Sequence, residues 1–173
     1  METKTNTLKK AVIGMILSVV LIVIDQMTKL MAIHGLMNQQ PFVILDGIFE
    51  LHYLENRGAA FGILQGKKAF FIIFTILVLA FIAYIYLKRI PDEKKFRLLD
   101  GICILFFAGA LGNFIDRVFR NYVVDFFYFK LIDFPIFNVA DIYVTMAAFA
   151  MIILGLFYYK EDDYNNIFPA KKK

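Results

Sequence analysis

Residues Ala69–Leu87 read AFFIIFTILVLAFIAYIYL, 19 residues broken only by Thr75 and two late tyrosines. As a helix this stretch covers roughly 28 Å, close to the hydrocarbon thickness of a bilayer. Three further apolar segments flank it, Ala11–Ile33, Leu98–Ile115 and Ile142–Tyr159. Each is long enough to cross, which predicts four spans at 11–33, 69–87, 98–115 and 142–159 in one integral membrane domain covering 1–173. The whole chain agrees with that reading: 60% of its 173 residues are hydrophobic and the mean hydropathy is +0.66. A soluble globular enzyme does not fit this composition.

The first span follows Lys9 and Lys10 and could pass for a cleavable leader, but no small-x-small site comes after it. Asp25 and Lys29 appear instead, and the apolar run resumes through Ile33. A retained helix is expected. Basic residues set the orientation. Twelve Lys and Arg lie at the N-terminus, in the connection between spans two and three, and at the C-terminus, against six in the other two connections. Both termini are therefore expected to be cytoplasmic, with outer loops at 34–68 and 116–141. In the first of these, apolar Phe42–Tyr53 surrounds Asp46-Gly47, a turn signal that predicts a short β-hairpin or small sheet resting on the membrane surface. The tail from Glu161 reads as polar and mobile.

The net charge of +4 suits a membrane surface better than nucleic acid. A single cysteine, Cys103, and two histidines, His34 and His52, leave no disulfide and no Cys-based or His-rich metal cluster to build. The only serine, Ser18, lies in mid-span, and Gly-x-Ser-x-Gly and His-Glu-x-x-His strings are absent. Chemistry, if present, falls to carboxylates.

Asp25 and Lys29, four apart, share one helical face. A charge facing lipid costs roughly 2.5 to 3.5 kcal/mol even on lenient scales, so this face turns inward or to the water boundary, as a structural ion pair or as a contact for a polar substrate group. Asn56-Arg57-Gly58-Ala59-Ala60-Phe61-Gly62 combines an amide and a guanidinium with small residues and reads equally as a tight turn. Gly109-Ala110-Leu111-Gly112 offers close helix contact, followed by Asn113, Asp116 and Arg117 on one face. Asp116 can pair with Arg120 a turn later while Arg117 snorkels to the interface. Asp125 is a lone carboxylate in Val123-Val124-Asp125-Phe126-Phe127, where burial raises its pKa. Asn138 is placed to cap the fourth span with Asp141 at the third helical position, where the positive helix end favours its ionised form. One carboxylate driven toward protonation and one held ionised is the split that acid–base catalysis uses.

The strings Asp25-Gln26-Met27-Thr28-Lys29, Asn56-Arg57-Gly58-Ala59-Ala60-Phe61, Gly109 to Arg117, Val123-Val124-Asp125-Phe126 and Phe137-Asn138-Val139-Ala140-Asp141 occur in that order. Together they resemble lipoprotein signal peptidase, the bacterial signal peptidase II family. The resemblance implies a four-helix transmembrane bundle with a small outer β-cradle, in the bacterial cell membrane, as a monomer. It also implies an aspartic intramembrane peptidase that cuts diacylglyceryl-modified prolipoproteins just before the lipid-bearing cysteine, without metal or cofactor. By motif position Asp125 and Asp141 are its catalytic aspartates, and Asp25, Lys29, Asn56, Asn113, Arg117 and Asn138 its site-shaping or substrate-binding residues. Asp116 matches a motif position too. Ile142 is a departure, standing where such proteins often carry a small or hydroxyl residue. The competing readings are a small ion- or proton-coupled transporter, argued from Asp25, Lys29 and Asp116, and a non-catalytic factor that holds lipidated proteins.

Overall fold

The computed structural model describes residues 2–58 and 67–168, so the Ala59–Gly62 part of the Asn56 motif lies outside the described residues. The elements run α1 (Glu2–Leu36), β1 (Phe42–Leu45), β2 (Phe49–Asn56), α2 (Lys68–Tyr84), α3 (Arg97–Phe119), β3 (Val123–Tyr128), α4 (Val139–Phe157) and α5 (Glu161–Ile167). A wide turn, Ile85–Arg89, prolongs α2, and a 3-10 turn, Lys94–Phe96, leads into α3. Four of these helical stretches are long and apolar enough to cross a membrane: Thr7–Leu36, Lys68–Arg89, Lys94–Phe119 and Val139–Phe157. The first three outrun the apolar segments because backbone hydrogen bonding continues past the last apolar residue until a cap or turn stops it, whereas the fourth starts three residues earlier than expected and ends two residues sooner.

α3 is the centre of the bundle, with α1, α2 and α4 packed against it. Its small residues permit this. A Cβ on Gly109 would stand 2.6 Å from the Ala140 carbonyl oxygen and 2.7 Å from Val144 Cγ2, so α4 can approach only a glycine here. Gly109→Ala should therefore destabilise the protein by about 1–3 kcal/mol, read as a lower Tm in detergent. An unchanged Tm would mean that the α3–α4 spacing relaxes freely. α2 has no buried residue, consistent with a helix bathed in lipid on most of its surface.

The hairpin expected at Asp46-Gly47 forms, with Gly47 at φ +68° and the Ile48 N–H donating to the Leu45 carbonyl. β1 and β2 are its arms, and β3 adds to β2, giving an antiparallel sheet in the order β1-β2-β3. Val123 to Phe126 of β3 are all buried, so the strand lacks the alternation that would mark it in the sequence. The sheet rests on the end of α1 through Ala32, Val124 and Phe126.

At the opposite end the tail departs from expectation. It is not free: α5 docks through buried Ile167 onto Ile90, Phe96, Cys103 and Tyr159. Asp163 accepts the Lys160 N–H at 2.8 Å and caps this short helix. The polar composition of Glu161–Asn166 hid one apolar anchor at its far end. Nearby, Lys10 and Asp100 form a buried ion pair at 2.7 Å, with the ammonium also donating to the Ile90 carbonyl at 3.1 Å.

Candidate active site

Asp125 is carried by β3, opposite Leu54 of β2, and is 1% exposed. Asp141 lies in the first turn of α4. Asn138 caps that helix in extended backbone geometry (φ −132°, ψ −177°), and its side-chain oxygen accepts the Asp141 N–H at 3.0 Å. Asp141 Oδ2 accepts the Asn138 N–H at 3.2 Å in return. This reciprocal box satisfies two helix-end donors, with aspartate doing what glutamate usually does.

The same asparagine reaches the other carboxylate. Asn138 Nδ2 donates to Asp125 Oδ1 at 2.6 Å and to Asn113 Oδ1 at 3.1 Å. Asn113 Nδ2 donates to Asp141 Oδ1 at 2.8 Å, and Asn56 Nδ2 donates to Asp125 Oδ2 at 2.8 Å. Every oxygen of the two carboxylates thus receives a donor, and three amide side chains fix both groups in place.

Burial pushes the Asp125 carboxyl up to about 7, with the charge of Asp141 as the next cause; Asn56 and Asn138 pull the other way. Asp125 is therefore not isolated among apolar side chains, as its sequence neighbours suggested; it is buried among amides and faces a second carboxylate.

Both aspartates open onto a cavity of about 980 Å³, lined on the sheet side by His52, Glu55 and Arg57 and on the α4 side by Ile142, Val144 and Met146. Arg117 also lines it. Its guanidinium donates to the Gly58 carbonyl at 3.1 Å and the Asn113 carbonyl at 3.4 Å and lies over the Phe71 ring at 4.7 Å. It thus braces the chain after β2 against α3 rather than merely snorkelling outward.

Asp25 and Lys29 pair at 3.0 Å, both with 0% side-chain exposure, and neither lines the cavity. Lys29 also contacts Asp116 at 3.0 Å and Asn113 Oδ1 at 2.8 Å. Asp116 pairs with Arg120, as its spacing suggested. Gln26 escaped the sequence reading although its amide donates to Asp25, to Asp116 and to the Gly112 carbonyl. Nothing in its spacing distinguished it from an ordinary polar residue.

Two carboxylates facing one cavity, one of them with its pKa raised by burial, with the one serine far off in mid-span, suit acid–base chemistry on a water molecule. The class so defined is a multi-pass membrane hydrolase of the aspartic type. The family profile described as signal peptidase (SPase) II matches residues 17–157, and the chain belongs to that family. It is 38% identical over 152 residues to the lipoprotein signal peptidase of Streptococcus pyogenes serotype M5 (strain Manfredo), covering 87% of this chain and 96% of the relative. The lipoprotein signal peptidase of Streptococcus thermophilus (strain CNRZ 1066) is 42% identical over 134 residues, covering 78% and 86%. Two solved bacterial membrane enzymes, determined by the in meso method at 2.3 Å and 1.9 Å, superpose with TM-scores of 0.71 and 0.73. Their identities are 34% and 36%, covering 92% and 84% of this chain and 94% of each structure. The protein is a membrane aspartic peptidase that processes prolipoproteins.

Proposed function

We propose that Asp125 and Asp141 are the catalytic pair and that the scissile bond lies just before the diacylglyceryl-modified cysteine. The observation that carries this is Asn138, whose one side chain bonds Asp125 and caps the helix turn that holds Asp141. In this reading the pair shares one proton, carried by Asp125. Asp141 takes a proton from water as the water oxygen bonds to the carbonyl carbon, and Asp125 gives its proton to the developing oxyanion. Collapse of the tetrahedral species breaks the C–N bond as the proton held by Asp141 goes to the cysteine nitrogen, and the hydroxyl that becomes the new carbonyl returns its proton to Asp125. The signal peptide leaves with a new carboxyl group and the lipoprotein with a free amine; no acyl-enzyme forms.

The cavity's two walls suit the substrate's two characters. Ile142, Val144 and Met146 offer an apolar surface to the signal helix and lipid chains, while His52, Glu55 and Arg57 meet the polar mature chain. The twelve-to-six division of basic residues supports cytoplasmic termini and a site at the extracytoplasmic face of the bacterial cell membrane. Asp25, Lys29, Asn56, Asn113, Arg117 and Asn138 hold the pair and the cavity wall, in a single domain acting as a monomer on substrates delivered by the bilayer.

The test is cleavage by the purified protein of a diacylglyceryl-prolipoprotein and of the same precursor without lipid. Cutting of the lipidated form alone, with a product beginning at the modified cysteine, is expected; a folded protein that leaves it intact, or cuts elsewhere, overturns the reading.

A pH profile follows from the same site. With Asp125 near 7, raising the pH beyond that value ionises both carboxylates and removes the acid, so kcat/KM should fall by about tenfold per pH unit on the alkaline side. The stability sign is the same: this raised pKa contributes stability fully present below about pH 4 and lost as the pH rises through 7. A rate that stays level from pH 6 to 9 would remove the shared proton from the mechanism.

A further inference from the structure

We propose that Lys29 is the centre of a buried yoke that sets the spacing of the two catalytic aspartates, with Asp25 and Asp116 as its arms. The proposal rests on the assignment of Asp125 and Asp141 as the catalytic pair. Each arm grips the backbone just before one of them. Asp116 Oδ2 accepts the Val124 N–H at 3.1 Å, immediately ahead of Asp125. Asp25 Oδ1 accepts the Ala140 N–H at 2.9 Å, immediately ahead of Asp141. The Lys29 ammonium joins the arms, at 3.0 Å from Asp25 Oδ2 and 3.0 Å from Asp116 Oδ2. Its third contact is Asn113 Oδ1 at 2.8 Å, and Asn113 in turn holds Asp141. An ammonium has three N–H donors, and all three are spent on this assembly.

The need for a yoke comes from the topology. Asp125 is on a strand and Asp141 on a helix, so no shared element fixes their separation. Val124 and Phe126 donate from the edge of β3 that β2 does not pair. Phe126 meets the Phe137 carbonyl, whereas Val124 meets only a side chain from α3, so Asp116 stands where a neighbouring strand would be. Likewise the Ala140 N–H is one of the orphan donors of the first turn of α4, and a side chain from α1 satisfies it. Two helices, α1 and α3, thereby fix two short peptide segments relative to one ammonium.

The cluster is too costly to be a mere staple. Asp25, Lys29 and Asp116 are each 0% exposed, and buried ion networks generally stabilise no better than well-packed apolar residues of the same volume. What they can supply is register, since a slip of either element would strand a buried charge. Gly112 shows how closely α3 is fitted to one arm: a Cβ there would stand 2.6 Å from Asp25 Oδ2. Arg120 and Gln26 satisfy the remaining carboxylate oxygen of Asp116, so that two carboxylates meet two cations and the cluster is neutral.

These are positioning residues, and the test must separate positioning from stability. The Lys10–Asp100 pair is a buried ion pair at the other end of the bundle and outside the site, so Asp100→Asn serves as the matched control. Steady-state cleavage of a diacylglyceryl-prolipoprotein would be measured for Asp116→Leu, Asp116→Asn, Gly112→Ala and Asp100→Asn, with a thermal melt for each. Expected is a fall in kcat of at least about tenfold for Asp116→Leu and Gly112→Ala with KM within about twofold, because misplaced reacting groups slow the step without touching substrate. Asp116→Asn keeps an acceptor for the Val124 N–H and should recover part of that loss. Asp100→Asn should lower Tm and leave kcat alone.

The yoke is overturned if Gly112→Ala and Asp116→Asn, both folded, match Asp100→Asn in kcat, or if their loss appears wholly in KM. Should Asp116→Leu not fold, those two milder variants decide. Asp125→Asn and Asp141→Asn are run alongside: activity surviving in them refutes the catalytic assignment itself, whereas null dyad variants beside unaffected yoke variants refute the yoke alone.

Discussion

Asp125→Asn and Asp141→Asn should each lower cleavage of a diacylglyceryl-prolipoprotein by about 10³ to 10⁴-fold, the scale of losing an acid or base that acts in the transition state. Both variants should fold, because asparagine has nearly the shape of aspartate and keeps one carbonyl oxygen to accept from the surrounding amides. At position 125 that oxygen can accept from either Asn56 or Asn138, which now hold one carboxylate oxygen each. At position 141 it can retain either the Asn113 or the Asn138 donor. The double variant should be no worse than either single one, since a pair that passes protons through one water fails as a unit. Matched melting curves with retained cleavage in either variant would move the chemistry to another group.

Much of the fold was legible because bilayers impose a simple rule. Each span had to be a long, mainly apolar helix, so Ala69–Leu87 announced itself by length alone. The hairpin was legible from Asp46-Gly47 because a residue at positive φ has few substitutes. β3 was not. With Val123 to Phe126 buried on both faces, its apolar residues run together and read as any buried segment. The docking of α5 was hidden for the opposite reason, a single isoleucine anchoring an otherwise polar heptapeptide.

The candidate site divided along a similar line. Contacts within one helix turn could be read from spacing: Asp25 with Lys29, Asp116 with Arg120, Asn138 with Asp141. Contacts across elements could not, because no periodicity links residue 25 to 140 or 116 to 124. Spacing left Asp25 and Lys29 open between an ion pair and a substrate contact, and only the fold shows both sealed behind the cavity wall. The ordered motifs pointed to a set of polar residues that the fold gathers in one place, without saying which of them face the cavity and which brace those that do.

Asn138 makes that division experimentally accessible, because its two duties can be taken apart. Its oxygen caps α4, and its amide nitrogen holds Asp125. Asn138→Ser retains a capping oxygen, since serine caps helices about as well as asparagine, but its short hydroxyl has no second group with which to reach Asp125. Asn138→Ala loses both, at a cost of about 1 kcal/mol for the cap. The Asp125 oxygen is then left with one fewer donor in a buried place, which adds about 1–3 kcal/mol. The serine variant should therefore melt nearer to wild type than the alanine variant while cleaving about 100-fold more slowly, a loss expected from a reacting group let slip by about an ångström. If Asn138→Ser is instead as active as wild type, the cap alone is what the site requires, and the bond from Asn138 to Asp125 carries no catalytic weight.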